Sequence, residues 1–236
     1  MSSYRSMESL FQKTIGLDRR PVAVAFCETV PAGIAKSTGT EPSGCSYWRL
    51  AAAGQTFYTV PSDHYNCAIG SYTHNIGLPE ERAAELGETL SFMTGIGYLK
   101  MEEVPAIPRL GRTPGVVIYA PLGETPVEPD VALFVGPPGR ILLLQEAAHR
   151  AGVQGGIPLL GRPTCMALPA ALAGGIVVCT GCIGNRVYTG MGENELYVAI
   201  SGKNLEKIAS EAATIASANA TLAGYHQERR AKLATE

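Results

Sequence analysis

The stretch PSGCSYWRLAAAG, residues 42–54, governs our reading of the fold because PTCMALPAALAG, residues 163–174, repeats its pattern. Counted from the cysteine of each stretch, alanine recurs six and eight positions later and glycine nine positions later. A second cysteine follows each stretch, Cys67 in the first case and Cys182 in the second, and a glycine lies within the next three residues. We interpret this repeat as an internal duplication that gives two related halves with two thiols each.

The composition predicts a globular, soluble protein that forms a single compact domain over residues 1–236. Hydrophobic residues make up 46% of the chain and charged residues 17%, and neither value is typical of a disordered chain. The formal net charge is −2, and the sequence contains no basic stripe with interleaved aromatic residues. Nucleic acids and anionic membrane surfaces are therefore not expected as partners.

The apolar stretches predict a cytoplasmic protein. The apolar run 22–26 follows two arginines, but it is too short for the hydrophobic region of a secretory signal. The longest nearly apolar stretch, residues 165–179, is shorter than a membrane span and contains Pro169. Six cysteines in a chain without a signal favour free thiols, a metal or a cluster over disulfides.

Alternating strand-like and helix-like segments predict the α/β class, with two pseudo-symmetric α/β halves, mixed sheets and a C-terminal helix. The strand-like segments are residues 21–26, 56–60, 115–120, 130–135, 175–179 and 196–201. The helix-like segments are residues 2–16, 45–53, 79–100, 140–151 and 203–233. We place the N-terminal half at 17–104, a proline-rich seam at 105–114, the C-terminal half at 115–202 and the tail helix at 203–234.

The repeat singles out four candidate metal ligands: Cys45, Cys67, Cys165 and Cys182. The first member of each pair lies at a predicted helix N-terminus, where the helix dipole favours thiolate over thiol. The second member lies in a loop beside Gly70 or Gly184, where backbone amides can approach and donate to sulfur. Four thiolates with nearby N–H donors favour a [4Fe–4S] cluster.

Two other interpretations of the thiols stay open. Cys179 and Cys182 form a C-x-x-C pair, which is compatible with half of a zinc knuckle or with a redox pair. No second closely spaced pair exists, so a standard zinc ribbon is not expected. Cys27 lies in an apolar strand context, where a lone cysteine usually packs in the core. Zinc and unliganded thiols therefore remain as alternatives to the cluster.

Three side chains near the second cysteine of each half are candidate catalytic residues: His64, Tyr188 and Arg186. His64, like His74, could replace a thiolate ligand or donate a proton, although an ordinary loop histidine is the alternative. Arg186 could bind an anionic substrate or offset cluster charge, with a plain salt bridge as the alternative. Tyr188 could donate a proton or only pack against its neighbours.

Three strings carry a resemblance to a known family: GCSYWRLAAAGQTFYT, HYNCAIGSYTHNIGLPEE and GCIGNRVYTGMGENELYVAI. They resemble the archaeal and bacterial family catalogued as domain of unknown function 169, and the similarity spans nearly the whole chain. The family's recurring cysteines map onto the four repeat-derived ligands, whereas Cys179 looks like a local departure that weakens the C-x-x-C interpretation. The abundance of the family in anaerobes suits an oxygen-sensitive cluster, and the resemblance implies no particular activity.

Together these features predict an iron–sulfur protein that acts as an enzyme or a redox protein on a small molecule. We favour an enzyme, a cluster-dependent oxidoreductase or lyase, because an open iron position could act as a Lewis acid. The expected partner is a small-molecule substrate or an electron-transfer protein, and a homo-oligomer is compatible with these properties. The alternative is a zinc- or thiol-containing protein that binds or senses a small ligand without catalysis.

Overall fold

A computed structural model describes residues 3–153 and 161–234, which fold as helices packed on both faces of one sheet. The strands are β1 Val22–Cys27, β2 Phe57–Thr59, β3 Val116–Pro121, β4 Val131–Gly136, β5 Ile176–Cys179 and β6 Leu196–Ser201. The helices are α1 Ser3–Leu10, α2 Ser46–Ala52, α3 Ala68–Thr73, α4 Ala83–Gly95, α5 Pro138–Arg150, α6 Ala167–Gly174, α7 Ile183–Thr189 and α8 Leu205–Leu233. A π-helical turn, Phe11–Ile15, continues α1.

The six strands form one sheet in the order β2-β3-β1-β4-β6-β5. The predicted α/β class is confirmed, but all five strand pairings are antiparallel where the sequence suggested mixed pairing. The connections between the strands explain why the pairing is antiparallel. β2 and β5 are the edge strands, β3 lies between β2 and β1, and β6 lies between β5 and β4. The chain enters β3 and β6 in the direction opposite to that of their neighbours. The two central strands meet where Ala23 of β1 faces Ala132 of β4.

The pairing of the strands repeats between the two halves of the sheet. Read from either edge inward, the order is β2-β3-β1 or β5-β6-β4, so each strand has a counterpart. Phe57 and Val177 each lie twelve residues after the first cysteine of their repeat, and they face Tyr119 of β3 and Ala199 of β6, respectively. A duplicated chain would produce this repetition of order and register.

The two faces of the sheet carry different helices. Alternate residues along a strand point to opposite faces, so Ala23 and Phe134 pack under α5 and α8 while Val24 and Tyr119 pack under α2 and α6. Burial is complete on both sides, because Phe134 and Tyr119 are both fully buried. The α2 and α6 face is the one that carries the repeated cysteine stretches.

The connections that precede β3 and β6 differ greatly in length. A long connection, residues 74–115, links α3 to β3, whereas residues 190–195 link α7 to β6. α4 lies within the long connection and has no fully buried residue. The predicted seam at 105–114 lies in the same segment, and its role as a boundary between halves stays a prediction. The strand that follows it, β3, pairs with β1 and β2.

The C-terminal helix α8 packs against the body of the protein through its first half. Leu205, Ile208 and Ala212 are buried against the core, whereas Leu222 and Tyr225 are each 55% exposed. The predicted tail helix is therefore present, and its second half extends from the body of the protein. Among the described residues, no helix is long and apolar enough to cross a membrane.

Candidate thiol site

Four cysteines from both halves line one cavity of about 890 Å³ on the α2 and α6 face of the sheet. They are the four that the repeat singles out: Cys45, Cys67, Cys165 and Cys182. We call this set the thiol site. Cys45 immediately precedes α2 and Cys165 lies in the turn that leads into α6, while Cys67 and Cys182 are the N-cap residues of α3 and α7.

The two halves contact each other crosswise at the thiol site. α2 of the first half packs against α7 of the second, and α3 packs against the turn Thr164–Met166 of the second half. The Cys165 thiol donates to the Ile69 carbonyl of α3 over 3.9 Å, whereas the sulfur of Cys45 is hydrogen-bonded to the Ser43 hydroxyl at 3.1 Å. Cys165 therefore has a polar partner from the opposite half, and Cys45 has one from its own half.

Backbone amides surround the sulfur of Cys67. The Gly70 N–H donates to this sulfur over 3.2 Å, and the amides of Gly44 and Ile69 also act to lower the pKa of the Cys67 thiol. A Cβ atom on Gly70 would lie 3.0 Å from the sulfur, so only glycine allows the α3 backbone to approach this closely. The predicted role of Gly70 as an amide donor agrees with this geometry. Several N–H donors aimed at one sulfur favour a thiolate.

The N-cap position of Cys182 is held by the repeat stretch of its own half. The Cys182 N–H donates to the Thr164 hydroxyl over 2.6 Å. Gly184 lines the cavity two residues after Cys182, and a Cβ atom added to it would meet Tyr188 as its nearest neighbour, at 3.7 Å. Gly184 therefore has more free space than Gly70.

Burial keeps three thiols of the site, Cys45, Cys67 and Cys165, protonated when no metal is bound. Burial raises the pKa of Cys45 to about 11, and it raises the pKa of Cys165 well above its usual value. Burial also raises the pKa of Cys67, although the amide donors oppose the shift. A metal that binds these sulfurs must displace their protons, so metal binding here releases protons and strengthens as pH rises.

Cys27 and Cys179 lie outside the cavity wall. Cys27 ends β1, and Cys179 ends β5 inside the apolar core of the α2 and α6 face. Burial raises the pKa of both thiols, that of Cys179 to about 11. The two cysteines without a counterpart in the repeat are thus also the two that do not line the cavity.

His64 and His74 form a buried pair behind the Cys67 loop and do not line the cavity. Their rings stack with centroids 5.6 Å apart. His64 Nε2 is hydrogen-bonded to the Thr59 hydroxyl at 2.8 Å, and His74 Nδ1 is hydrogen-bonded to the Gly70 carbonyl at 2.8 Å. Burial lowers the pKa of His64 to about 3 and also lowers that of His74, so both rings are neutral at pH 7.

Arg186 and Tyr188 take different positions relative to the cavity. Arg186 points away from it and donates to the carbonyls of Thr180, Gly192 and Glu195, so it ties the two ends of the α7 segment together. Tyr188 lines the cavity and is 45% exposed, which places it at the mouth. Of the three predicted catalytic side chains, only Tyr188 reaches the cavity.

The wall opposite the thiols comes from the long connection. Its apolar members are Leu90 and Met93 of α4 together with Leu99, Ala106, Ile107 and Pro108. Tyr98 lies beside them, and the Arg162 guanidinium packs over its ring at 4.8 Å. No sequence signal selected Tyr98 or Arg162, because neither belongs to the repeat. Asn185 could have been identified from the sequence, because it follows Cys182 by three residues in the repeated loop.

The donor set fits a group that binds several thiolates. It combines four cysteine sulfurs, the Gly70 amide at Cys67 and the Ser43 hydroxyl at Cys45, and two of the cysteines, Cys45 and Cys165, are buried. Within residues 3–153 and 161–234, no three His, Cys, Asp or Glu side chains are grouped closely enough to hold one metal ion.

Comparison with known proteins identifies relatives. The model of the domain of unknown function 169 family, described as uncharacterised ArCR, matches residues 10–211. An uncharacterized protein of Methanocaldococcus jannaschii is 28% identical over 208 residues, which cover 81% of this chain and 86% of that protein. No solved structure matches the chain.

Proposed function

The chain belongs to the domain of unknown function 169 family, which confirms the resemblance seen in the sequence, and we propose that it is an iron–sulfur enzyme. In this proposal the thiol site holds a [4Fe–4S] cluster between the two halves, and a small molecule reacts beside it. The observation that carries the proposal is that the four repeat cysteines line one cavity while the two unrepeated cysteines do not.

The surroundings of the sulfurs support thiolate ligation. The Gly70 amide at Cys67 and the Ser43 hydroxyl at Cys45 would stabilise negative charge on sulfur once the protons have left. When bound, such a cluster supplies one-electron transfer or, where one iron keeps an open position, Lewis acidity. The low exposure of Cys45 and Cys165, 8% and 7%, would protect two of the ligands from solvent.

The space beyond the thiols supports an enzyme over a simple electron carrier. The cavity continues from the sulfurs to the wall formed by the long connection, so a substrate can lie against the thiol site. The Tyr188 hydroxyl at the mouth can hold or deliver a proton to a substrate atom. His64 lies behind the Cys67 loop, where its ring is hydrogen-bonded to Thr59 of β2, and it does not line the cavity.

The direct test is purification without oxygen followed by iron, sulfide and zinc analysis and by visible absorbance spectroscopy. We expect about four iron and about four sulfide per chain and a broad brown absorbance at about 400 nm. A colourless protein with one zinc ion per chain would instead support the alternative of a zinc-containing binding protein, and a metal-free protein would support plain thiols.

Single replacements of the cysteines make the test specific to the site. We expect Cys45→Ala, Cys67→Ala, Cys165→Ala and Cys182→Ala each to lose most of the iron. Cys27→Ala and Cys179→Ala are the matched controls, because both remove a thiol that lies outside the cavity. The ligand assignment is wrong if a control loses as much iron as the site variants, provided that circular dichroism shows that all six variants are folded.

A further inference from the structure

The cavity at the thiol site has two walls of different chemistry. One wall contains the repeat loops with the sulfurs, and the second contains residues of the long connection, most of which are apolar. Among the described residues of the C-terminal half, 115–153 and 161–202, the second wall has no counterpart, because residues 190–195 alone join α7 to β6. The long connection therefore adds space and apolar surface that ligand thiols by themselves do not require.

α4 is poorly buried for a helix that carries so many apolar residues. Leu90 and Met93 face the cavity and are only half-buried, and no residue of α4 is fully buried. An apolar molecule in the cavity would remove these side chains from water, so the hydrophobic effect favours occupation of this space. The cavity volume, about 890 Å³, also lies in the usual range for small-molecule sites.

The charges on the cavity wall are confined to one pair. Among the described residues that line the cavity, Arg162 is the one cation and Glu103 the one carboxylate. Their side chains approach to 3.4 Å at 43% and 45% exposure, so the pair is at the solvent-facing rim. An exposed ion pair of this kind contributes little stability, and a ligand can replace one partner at low cost.

Glu103 and Arg162 differ in the other contacts that they make. The Glu103 carboxylate also accepts the Lys100 N–H at 3.3 Å, so it keeps a partner when Arg162 turns away. Arg162 stays over the Tyr98 ring and donates to the Tyr98 carbonyl, which fixes its position at the rim. A guanidinium held in this way presents a planar fork that matches a carboxylate.

We propose that the space between α4 and the thiol site binds an organic molecule with an apolar body and one carboxylate, and that Arg162 binds the carboxylate at the rim. The apolar body lies against Leu90 and Met93 with its far end toward the sulfurs. This orientation also keeps the anionic group away from the negative charge of four thiolates. Such a molecule would be the substrate class of the proposed enzyme, and in that sense the inference rests on the proposed function.

The test uses three probes of one chain length: octanoate, octan-1-ol and octylamine. Binding to the full-length protein is measured by isothermal titration calorimetry at pH 7, both as purified without oxygen and after removal of iron. We expect octanoate to bind about tenfold more tightly than octylamine, because the amine meets Arg162 with like charge. Equal or tighter binding of octylamine would overturn the assignment of Arg162.

Two pairs of variants locate the binding. Arg162→Gln should weaken octanoate about tenfold and leave octan-1-ol unchanged, whereas Arg150→Gln, which removes an arginine paired with Glu211 on α8, should change neither. Met93→Trp should fill the cavity and abolish binding of all three probes. Phe92→Trp is its matched control, because Phe92 lies on the outer side of α4 at 66% exposure.

The outcomes separate this inference from the proposed function. Octanoate binding that responds to Arg162→Gln and Met93→Trp in a protein without iron would support the ligand class and refute the cluster. If the protein contains iron but neither variant changes the affinity for the probes, the cluster is supported and the ligand class is refuted. Binding of octanoate that survives Met93→Trp would place the ligand elsewhere and also overturn the inference.

Discussion

The two halves of the sheet carry the same thiol arrangement but add different structures to it. In both halves a cysteine precedes or begins a helix under the sheet, and a second cysteine caps the following short helix. The first half then continues through residues 74–115, while the second half returns to the sheet through residues 190–195. The repeated loops of both halves supply the sulfurs, and the long connection, which occurs only in the first half, supplies the second wall of the cavity.

The environment of the second cysteine also differs between the halves. Cys67 has amide donors at its sulfur and a pair of buried histidines behind its loop, whereas Cys182 is held through its own N–H by Thr164. The repeat therefore accounts for the four sulfurs that share the cavity. The differences between the halves explain how one side of the site can be specialised for a substrate.

The largest expected effect is a loss of iron on replacement of Gly70, one of the two glycines that accompany the second cysteines. Gly70→Ala should remove more than half of the bound iron, because the new methyl group would lie 3.0 Å from the Cys67 sulfur. Gly184→Ala, its control in the other half, should retain the iron, since its nearest neighbour is Tyr188 at 3.7 Å. Iron analysis of both purified variants tests this difference. Equal losses would mean that the amide cradle at Cys67 has no special importance.

A second contrast compares a helix of the repeat with the helix of the long connection. Leu168 of α6 is fully buried in the core, so Leu168→Ala should lower the free energy of unfolding by about 3 kcal/mol. Leu90 of α4 is half-buried and faces the cavity, so Leu90→Ala should cost less than about 1 kcal/mol. Urea unfolding measures both changes. A cost for Leu90→Ala that matches Leu168→Ala would show that α4 belongs to the core.

The smallest expected effect is a pH dependence that comes from the first half. The folded-state pKa of His64 is lowered to about 3, below its usual 6.5, so the unfolded chain binds the proton first as pH falls. His64 therefore contributes stability that is present above pH 6.5 and is lost between pH 6.5 and about 3, at about 1.4 kcal/mol per pH unit. At pH 5 this loss amounts to about 2 kcal/mol.

Replacement of His64 tests this assignment. His64→Gln should make the fall in the free energy of unfolding between pH 7 and pH 5 about 2 kcal/mol smaller. The exposed His149 of α5 is the control, and His149→Gln should leave the fall unchanged. Urea unfolding of the chelator-treated protein at both pH values gives the comparison. An unchanged fall in His64→Gln would assign the acid sensitivity to other groups.

Much of the fold was accessible from the sequence because its signals are local. The predicted strand at 130–135 is observed as β4, and the predicted helix at 140–151 is observed as α5. The short helices α3 and α7 were missed, since each begins after a cysteine in a glycine-containing loop that has little helical periodicity. The expectation of mixed pairing was also incorrect, because strand direction depends on where each connection returns to the sheet.

The candidate site, like the fold, was predicted only in part from the sequence. The repeat alone selected the four cysteines that line the cavity, and it separated them from Cys27 and Cys179. It did not select Arg162 or Tyr98, which have no counterpart in the other half, and it assigned His64 and Arg186 a place near the cavity that the structure does not show.

The sequence by itself therefore determined the strands, the main helices, the repeat and the identity of the thiol set, because each of these is written in short-range periodicity or in spacing along the chain. The tertiary structure alone decided that the sulfurs from both halves share a cavity, that the long connection closes one side of it, and that Arg162 reaches its rim. Those facts depend on contacts between residues that are distant in the chain. The free energy of such contacts comes from burial and shape, which no local pattern records.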